Sequence, residues 1–164
     1  MPVCGGYLTN RELRFEAEEL LDRYIQCLDE DRLEEWPDFF SEKAVYKIIS
    51  RVNVERNHPL ATMFCDSRDM MKDRVVAIRN ASVFSQRYLR HLVSNVRVMG
   101  QDGDAYIVKS NYVVLQTMQG DETKVFNAGQ YVDKIIFGNG GAKFQEKLVI
   151  YDTIQIPGLL VVPI

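Results

Sequence analysis

The spacing of hydrophobic positions changes character near the middle of the chain. In the first part, Leu13, Ala17, Leu20, Leu21, Tyr24 and Leu28 recur every three or four residues. That spacing is one apolar stripe of an amphipathic helix. Thr9 and Glu12 stand where a capping box would start it, and Asp29-Glu30-Asp31 marks its end. A second short helical piece at 33–36 runs into Pro37. A residue before proline avoids the helical region, so Trp36 is expected at a boundary. Asp38-Phe39-Phe40 then places aromatics where they can close one end of a core. Residues 44–51 have strand composition, 52–59 are polar and read as a loop, and 60–65 read as a short strand. Asp66-Ser67 is placed to cap a third helix over 68–80, with Met71, Val75 and Ile78 on one face.

From residue 91 onward the pattern predicts four strands, over 91–99, 105–118, 123–137 and 142–152. The breaks at 100–103, 119–122 and 138–141 carry Gly, Asp and Asn turn chemistry. Consecutive strands joined by short turns make an antiparallel meander. Strands this long twist and curve strongly. Ala128-Gly129 is the expected place for a bulge or bend. The expected fold class is α+β in one domain over 1–164. It comprises an arm (1–8), helices with short strands (9–80), the meander (90–152) and a tail (153–164). N-terminal helices packed in a strongly curved antiparallel sheet resemble the cone of the nuclear-transport-factor-2-like (NTF2-like, cystatin-like) superfamily.

Neither face of the longest strands is purely apolar. Tyr106, Val108, Ser110, Tyr112, Val114 and Gln116 share one side; Ile107, Lys109, Asn111, Val113, Leu115 and Thr117 share the other. Three readings fit: a polar pocket inside the sheet, an outer face that packs on a second chain, or plain solvent exposure of one face. The apolar tail from Ile154 to Ile164 calls for cover by its own domain or by a partner.

Composition narrows the chemistry. Lys+Arg 20 against Asp+Glu 23 gives a net charge of −3 over 164 residues, so no basic field exists for nucleic acid. No apolar run approaches the ~18 residues of a membrane span, and the N-terminus has no signal-peptide pattern, so a cytoplasmic protein is expected. Cys4, Cys27 and Cys65 show no paired spacing, and only His58 and His91 are present. Neither a zinc motif nor a Rieske motif is formed. A catalytic alternative is a free-standing isomerase, dehydratase or hydrolase. It would use Tyr24 as hydrogen-bond donor, His91 as base and Asp152 as orienting acid. The bland counterparts are a buried tyrosine and a structural histidine.

A series of blocks then bears on identity. They are Glu35-Trp36-Pro37-Asp38-Phe39-Phe40, Asp66-Ser67-Arg68-Asp69-Met70-Met71-Lys72-Asp73-Arg74-Val75 and Arg90-His91-Leu92-Val93-Ser94-Asn95-Val96. Phe126-Asn127-Ala128-Gly129-Gln130-Tyr131-Val132-Asp133 follows, then a Lys143–Lys147 stretch leading to Tyr151-Asp152, and finally Pro163-Ile164. In this order they resemble the small (β) subunit of bacterial aromatic-ring-hydroxylating oxygenases. The Cys4-Gly5-Gly6 arm and the His58-Pro59 loop depart from the pattern.

The resemblance implies a non-catalytic, structural subunit with no cofactor of its own. The partner α subunit would hold the Rieske [2Fe-2S] cluster and the mononuclear iron. It further implies an α3β3 assembly fed by ferredoxin and reductase, acting as a mono- or dioxygenase on aromatic compounds, most like members that take aromatic carboxylates such as salicylate or terephthalate. Under it, Asp66, Arg74, Arg90 and His91 form a polar network at the helix-to-sheet junction or at subunit interfaces, with Arg90 placed to pair with a carboxylate. Trp36 and Tyr131 are core or interface anchors.

Overall fold

Thr9 opens the first helix as its spacing requires. Its hydroxyl accepts the Glu12 N–H at 3.3 Å, and the Glu12 carboxylate accepts the Thr9 N–H at 2.7 Å. The helix, α1, spans Asn10–Asp29 and buries Leu13, Ala17, Leu20, Leu21, Tyr24, Cys27 and Leu28. The computed structural model describes residues 8–80, 87–153 and 162–164. Cys4 and most of the expected N-terminal arm and C-terminal tail therefore lie outside the described residues.

The helical piece expected at 33–36 is instead a turn leading into a 3₁₀ helix, Trp36–Phe39. Pro37 lies in its first turn, where a missing N–H costs nothing, so the proline starts this helix rather than ending one. Strand β1 runs over Phe40–Ser50, beginning earlier than composition suggested. The supposed loop after it opens with a short helix, α2, Arg51–Glu55. The Ser50 hydroxyl caps it by accepting the Asn53 N–H at 3.2 Å. β2 is only Met63–Cys65. α3 covers Arg68–Asn80, and the Ser67 hydroxyl accepts the Met70 N–H at 3.3 Å.

The meander comprises β3 (Arg87–Asp102), β4 (Ala105–Met118), β5 (Thr123–Gly138) and β6 (Gly141–Tyr151), antiparallel throughout. The six-stranded sheet has the order β2-β1-β6-β5-β4-β3. β1 joins the meander by parallel pairing with β6, from Val45↔Glu146 to Ser50↔Tyr151. That contact joins distant parts of the chain, so no local pattern announces it. The irregularity of β5 against β4 falls at Phe126 rather than at Ala128-Gly129, because Asn127 opposes Val114 while Val125 opposes Leu115. Gly129 has a different task. A Cβ built there would stand 2.0 Å from the Ile150 carbonyl oxygen, so only glycine lets β5 and β6 come this close.

The parity of β4 decides which face is inside. Val108, Ser110, Tyr112 and Val114 are buried on the face that carries α1. Ile107, Lys109, Val113 and Leu115 are half-buried and Asn111 is exposed on the other. The inner face holds the core, where Trp36, Tyr24, Tyr46, Tyr112, Tyr131, Phe40 and Phe144 are fully buried.

Candidate functional site

Strand alternation sends two charged residues inward. Asp133 on β5 and Lys147 on β6 are direct register partners, and both are fully buried. The Lys147 ammonium donates to both Asp133 oxygens, at 3.2 and 3.1 Å. It also lies 3.6 Å from the Tyr131 ring centroid, 4.6 Å from that of Phe144 and 4.7 Å from that of Tyr24. Loss of solvation pushes the Asp133 carboxyl up to about 6 against the pull of Lys147, and the same loss lowers Lys147. The electron-rich ring faces supply part of what water would have given the ammonium.

Around this pair the aromatics interlock. Tyr24 meets Phe144 edge-on at 5.4 Å and Phe39 at 5.9 Å. Tyr112 stacks flat on Tyr131 at 4.3 Å, and its hydroxyl donates to the Asn127 side-chain oxygen. The Tyr24 and Tyr46 hydroxyls both donate to the Ile164 carbonyl, at 3.1 and 2.9 Å. The Ile164 N–H donates back to Tyr46 at 3.0 Å. Burial raises all four tyrosine hydroxyls above their ordinary range, so each remains a neutral donor at neutral pH.

His91 enters from β3. Its Nδ1 is 2.6 Å from Asp29 Oδ1, and its backbone N–H donates to Asp29 Oδ2 at 3.1 Å. An ionised carboxylate only accepts, so the ring proton sits on Nδ1. This partner, 62 residues away in the chain, is not among those sequence reasoning chose.

The isomerase-type constellation is not assembled. The Tyr24 hydroxyl donates to Ile164, the carboxylate on His91 is Asp29 and not Asp152, the His91 Nε2 is buried without a partner among the described residues, and Asp152 is half-exposed beside Arg51 at 2.6 Å. The geometry therefore does not favour the free-standing catalytic alternative. Nor do Asp66, Arg74, Arg90 and His91 share one network. Asp66 is exposed and accepts from Ser67, Arg90 donates to the Leu89 carbonyl at 3.2 Å, and the Arg74 Nε is buried without a partner among the described residues. Trp36 and Tyr131 are both wholly inside. Sequence reasoning missed Lys147, Asp133, Asp29, Tyr112 and Asn127. The signal for Asp133 is a charged residue at an inward-parity position between Tyr131 and Ile135; for Lys147 the parity is shared with Val149 and Tyr151 but not with Phe144, because the strand shifts register at Gln145.

Metal donors are dispersed. Among the described residues no three His, Cys, Asp or Glu side chains form a metal-binding group. The Cys27 thiol donates to the Arg32 carbonyl at 3.0 Å, and burial pushes it up to about 11, which holds it in the protonated form that ligates metals poorly. His58 is exposed in a loop and His91 is tied to Asp29. This donor set does not fit an iron–sulfur cluster.

Comparison with known proteins places these features in a family. The family model described as "Ring hydroxylating beta subunit" matches residues 23–157. The chain is 37% identical over 150 residues to the anthranilate 1,2-dioxygenase small subunit of Burkholderia cepacia, covering 92% of this chain and 93% of that one. It is 28% identical to the terephthalate 1,2-dioxygenase terminal oxygenase subunit beta 1 of a Comamonas species, covering 86% and 92%. A crystallised β subunit assigned to an aromatic-ring-hydroxylating dioxygenase of Novosphingobium aromaticivorans superposes with a TM-score of 0.83 at 37% identity, covering 92% and 95%. Such β subunits partner with α subunits. The NTF2-like fold and the motif series thus converge, and the chain belongs to the β-subunit family of the aromatic-ring-hydroxylating dioxygenases.

Proposed function

We propose that this chain is the non-catalytic, supporting subunit of a cytoplasmic oxygenase that acts on an aromatic carboxylate, assembled as α3β3 with ferredoxin and reductase supplying electrons. The observation that carries the non-catalytic role is the filled inner face. Where a cone-fold enzyme would hold substrate, Lys147 lies against three rings and Ile164 closes on two tyrosine hydroxyls. In this reading the Rieske cluster and the mononuclear iron belong to the α subunit. The aromatic carboxylate rests on the relatives, whose names are those of anthranilate and terephthalate dioxygenases.

The test is co-expression with the α subunit, followed by light-scattering mass and product analysis on anthranilate and terephthalate. The expected outcome is an α3β3 mass and hydroxylation by the complex. Tyr24→Phe and His91→Gln should keep turnover per assembled complex within about threefold, since neither side chain touches substrate in this reading. Turnover by the isolated chain would overturn the proposal. So would loss of turnover in either variant with the complex mass unchanged.

A further inference from the structure

The two ends of the inner face differ in how their polar groups are satisfied. At one end Lys147 and Asp133 hold each other. At the other, where Asp29 at the end of α1 meets β3, polar atoms are left over. His91 Nε2, Asn127 Nδ2 and the hydroxyls of Tyr131 and Ser110 are each buried with no hydrogen-bond partner among the described residues. These residues are 4%, 0%, 0% and 2% exposed, so bulk solvent does not reach them. A buried donor or acceptor that forms no hydrogen bond loses what water gave it, and native interiors rarely leave one so.

The sheet register gathers these atoms. His91 pairs with Val114 across β3 and β4, and Val114 with Asn127 across β4 and β5. His91 and Asn127 therefore stand on one row, two strand spacings or about 9.6 Å apart at the backbone. Tyr112, the next inward position on β4, donates its hydroxyl to Asn127 Oδ1 and stacks flat on Tyr131 at 4.3 Å. Ser110 is the register partner of Tyr131. Burial first, and then neighbouring groups that include Asp29, raise the Tyr131 hydroxyl, which places it near the carboxylate that holds His91.

The leftover atoms are complementary in kind. With its ring proton on Nδ1 toward Asp29, His91 presents a lone pair at Nε2. With its oxygen taken by Tyr112, Asn127 presents two N–H groups. The Tyr131 hydroxyl both donates and accepts. A guest that joins them must accept from an amide and donate to an imidazole. It must also be neutral, because the leftover groups offer no counter-charge for a buried ion. A donor and an acceptor on one row with a single valine between them do not bond directly, and water, which does both tasks, is the guest that bridges such a gap. We propose that this end of the interior is a built water site, in which a long-lived water accepts from Asn127 Nδ2 and donates to His91 Nε2, beside the Tyr131 hydroxyl. The water completes a hydrogen-bonded chain from Asp29 through His91 and Asn127 to Tyr112, tying the end of α1 to the middle of the sheet. The site is independent of the subunit reading and adds a bound component to it.

Three measurements on the full chain test it. A crystal structure that shows ordered water should place one within about 2.7–3.2 Å of both Asn127 Nδ2 and His91 Nε2. Magnetic relaxation dispersion of the water resonance counts waters held in the interior. Asn127→Leu, close in volume and without donors, should lose at least one of them, whereas Asn111→Leu on the outer face should lose none. Circular dichroism checks both folds. If Asn127→Leu does not fold, the imidazole ¹⁵N spectrum of wild type above neutral pH serves, with only His58 and His91 to assign. His91 should then show a protonated Nδ1 and an Nε2 shifted as a hydrogen-bonded imine. The proposal is overturned by a crystal structure with no water joining the two atoms, or with another molecule in that place. An unchanged water count in a folded Asn127→Leu chain, or an Nε2 that resonates as an unbonded imine or a protonated nitrogen, also overturns it. None of these outcomes touches the subunit reading, which is tested by co-assembly with the α subunit.

Discussion

Lys147 and Lys109 are both lysines in the middle of a meander strand, one on each face of the sheet, and their surroundings are opposite. Lys147 is taken wholly out of water and given two carboxylate contacts and three ring faces. Lys109 is half-exposed, faces another cation and has no carboxylate. The inner face pairs Lys147 with Asp133; on the outer face Lys134 is matched by Asp102 and Glu146, while Arg97 and Lys109 have no ion pair among the described residues.

The sharpest way to break this contrast is to unpair the interior. Asp133→Asn leaves a buried ammonium without its counter-charge, and Lys147→Met leaves a buried carboxylate. Each should cost about 3–5 kcal/mol in denaturant unfolding. Replacing both, as Asp133→Leu with Lys147→Met, should recover most of that loss, because neither charge then has to be desolvated. The same double variant exposes the pH dependence. The folded-state pKa of Asp133, about 6, lies above its ordinary value of 3.8, so the native state binds this proton more tightly than the unfolded chain does. Its contribution is complete below the unfolded value and fades as pH rises toward 6. Wild type should therefore gain stability relative to the double variant as pH falls from about 6 to about 4. A melting-temperature difference that is flat across that window would refute the assignment.

A smaller effect is expected at the α1–β3 junction. Asp29→Ala removes the acceptor for the His91 ring and for its backbone N–H, and should cost about 1–3 kcal/mol by the same unfolding measurement. Smallest of all is the outer face. Val125→Ser should change the stability of the isolated chain by under about 0.5 kcal/mol, since that side chain is already in water. A large loss there in the isolated chain would erase the distinction between the faces.

Much of the fold is written locally. The α1 stripe, its capping box, the third helix and the four meander strands follow from periodicity and turn chemistry, because each depends on neighbours a few residues apart. The parallel pairing of β1 with β6, the Phe126 bulge and the close approach at Gly129 depend on distant strands, so no window of sequence contains them. The candidate site was less legible for the same reason. His91 was visible as a residue, but Asp29 could not be chosen among the carboxylates without the packing of α1 on β3. Asp133 was legible in principle from strand parity, whereas Lys147 was legible only from the C-terminal half of β6, because the register shift at Gln145 breaks the alternation from Phe144. Their apolar flanks hid them, since charged residues in strands usually face water. The α2 helix had a local signal, the Ser50 cap, set in a stretch whose polarity otherwise favours a loop.

The junction of Asp29 with His91 has one more consequence. β3 forms the outer border of the sheet, sixteen residues long, and such a border is a template on which other chains add strands and aggregate. Asp29 occupies the His91 N–H that an intruding strand would need, and the left-handed Asn95 kinks the backbone a few residues further on. At least this one N–H of the border is thereby withdrawn from strand addition, and the kink at Asn95 breaks the flatness that such addition needs.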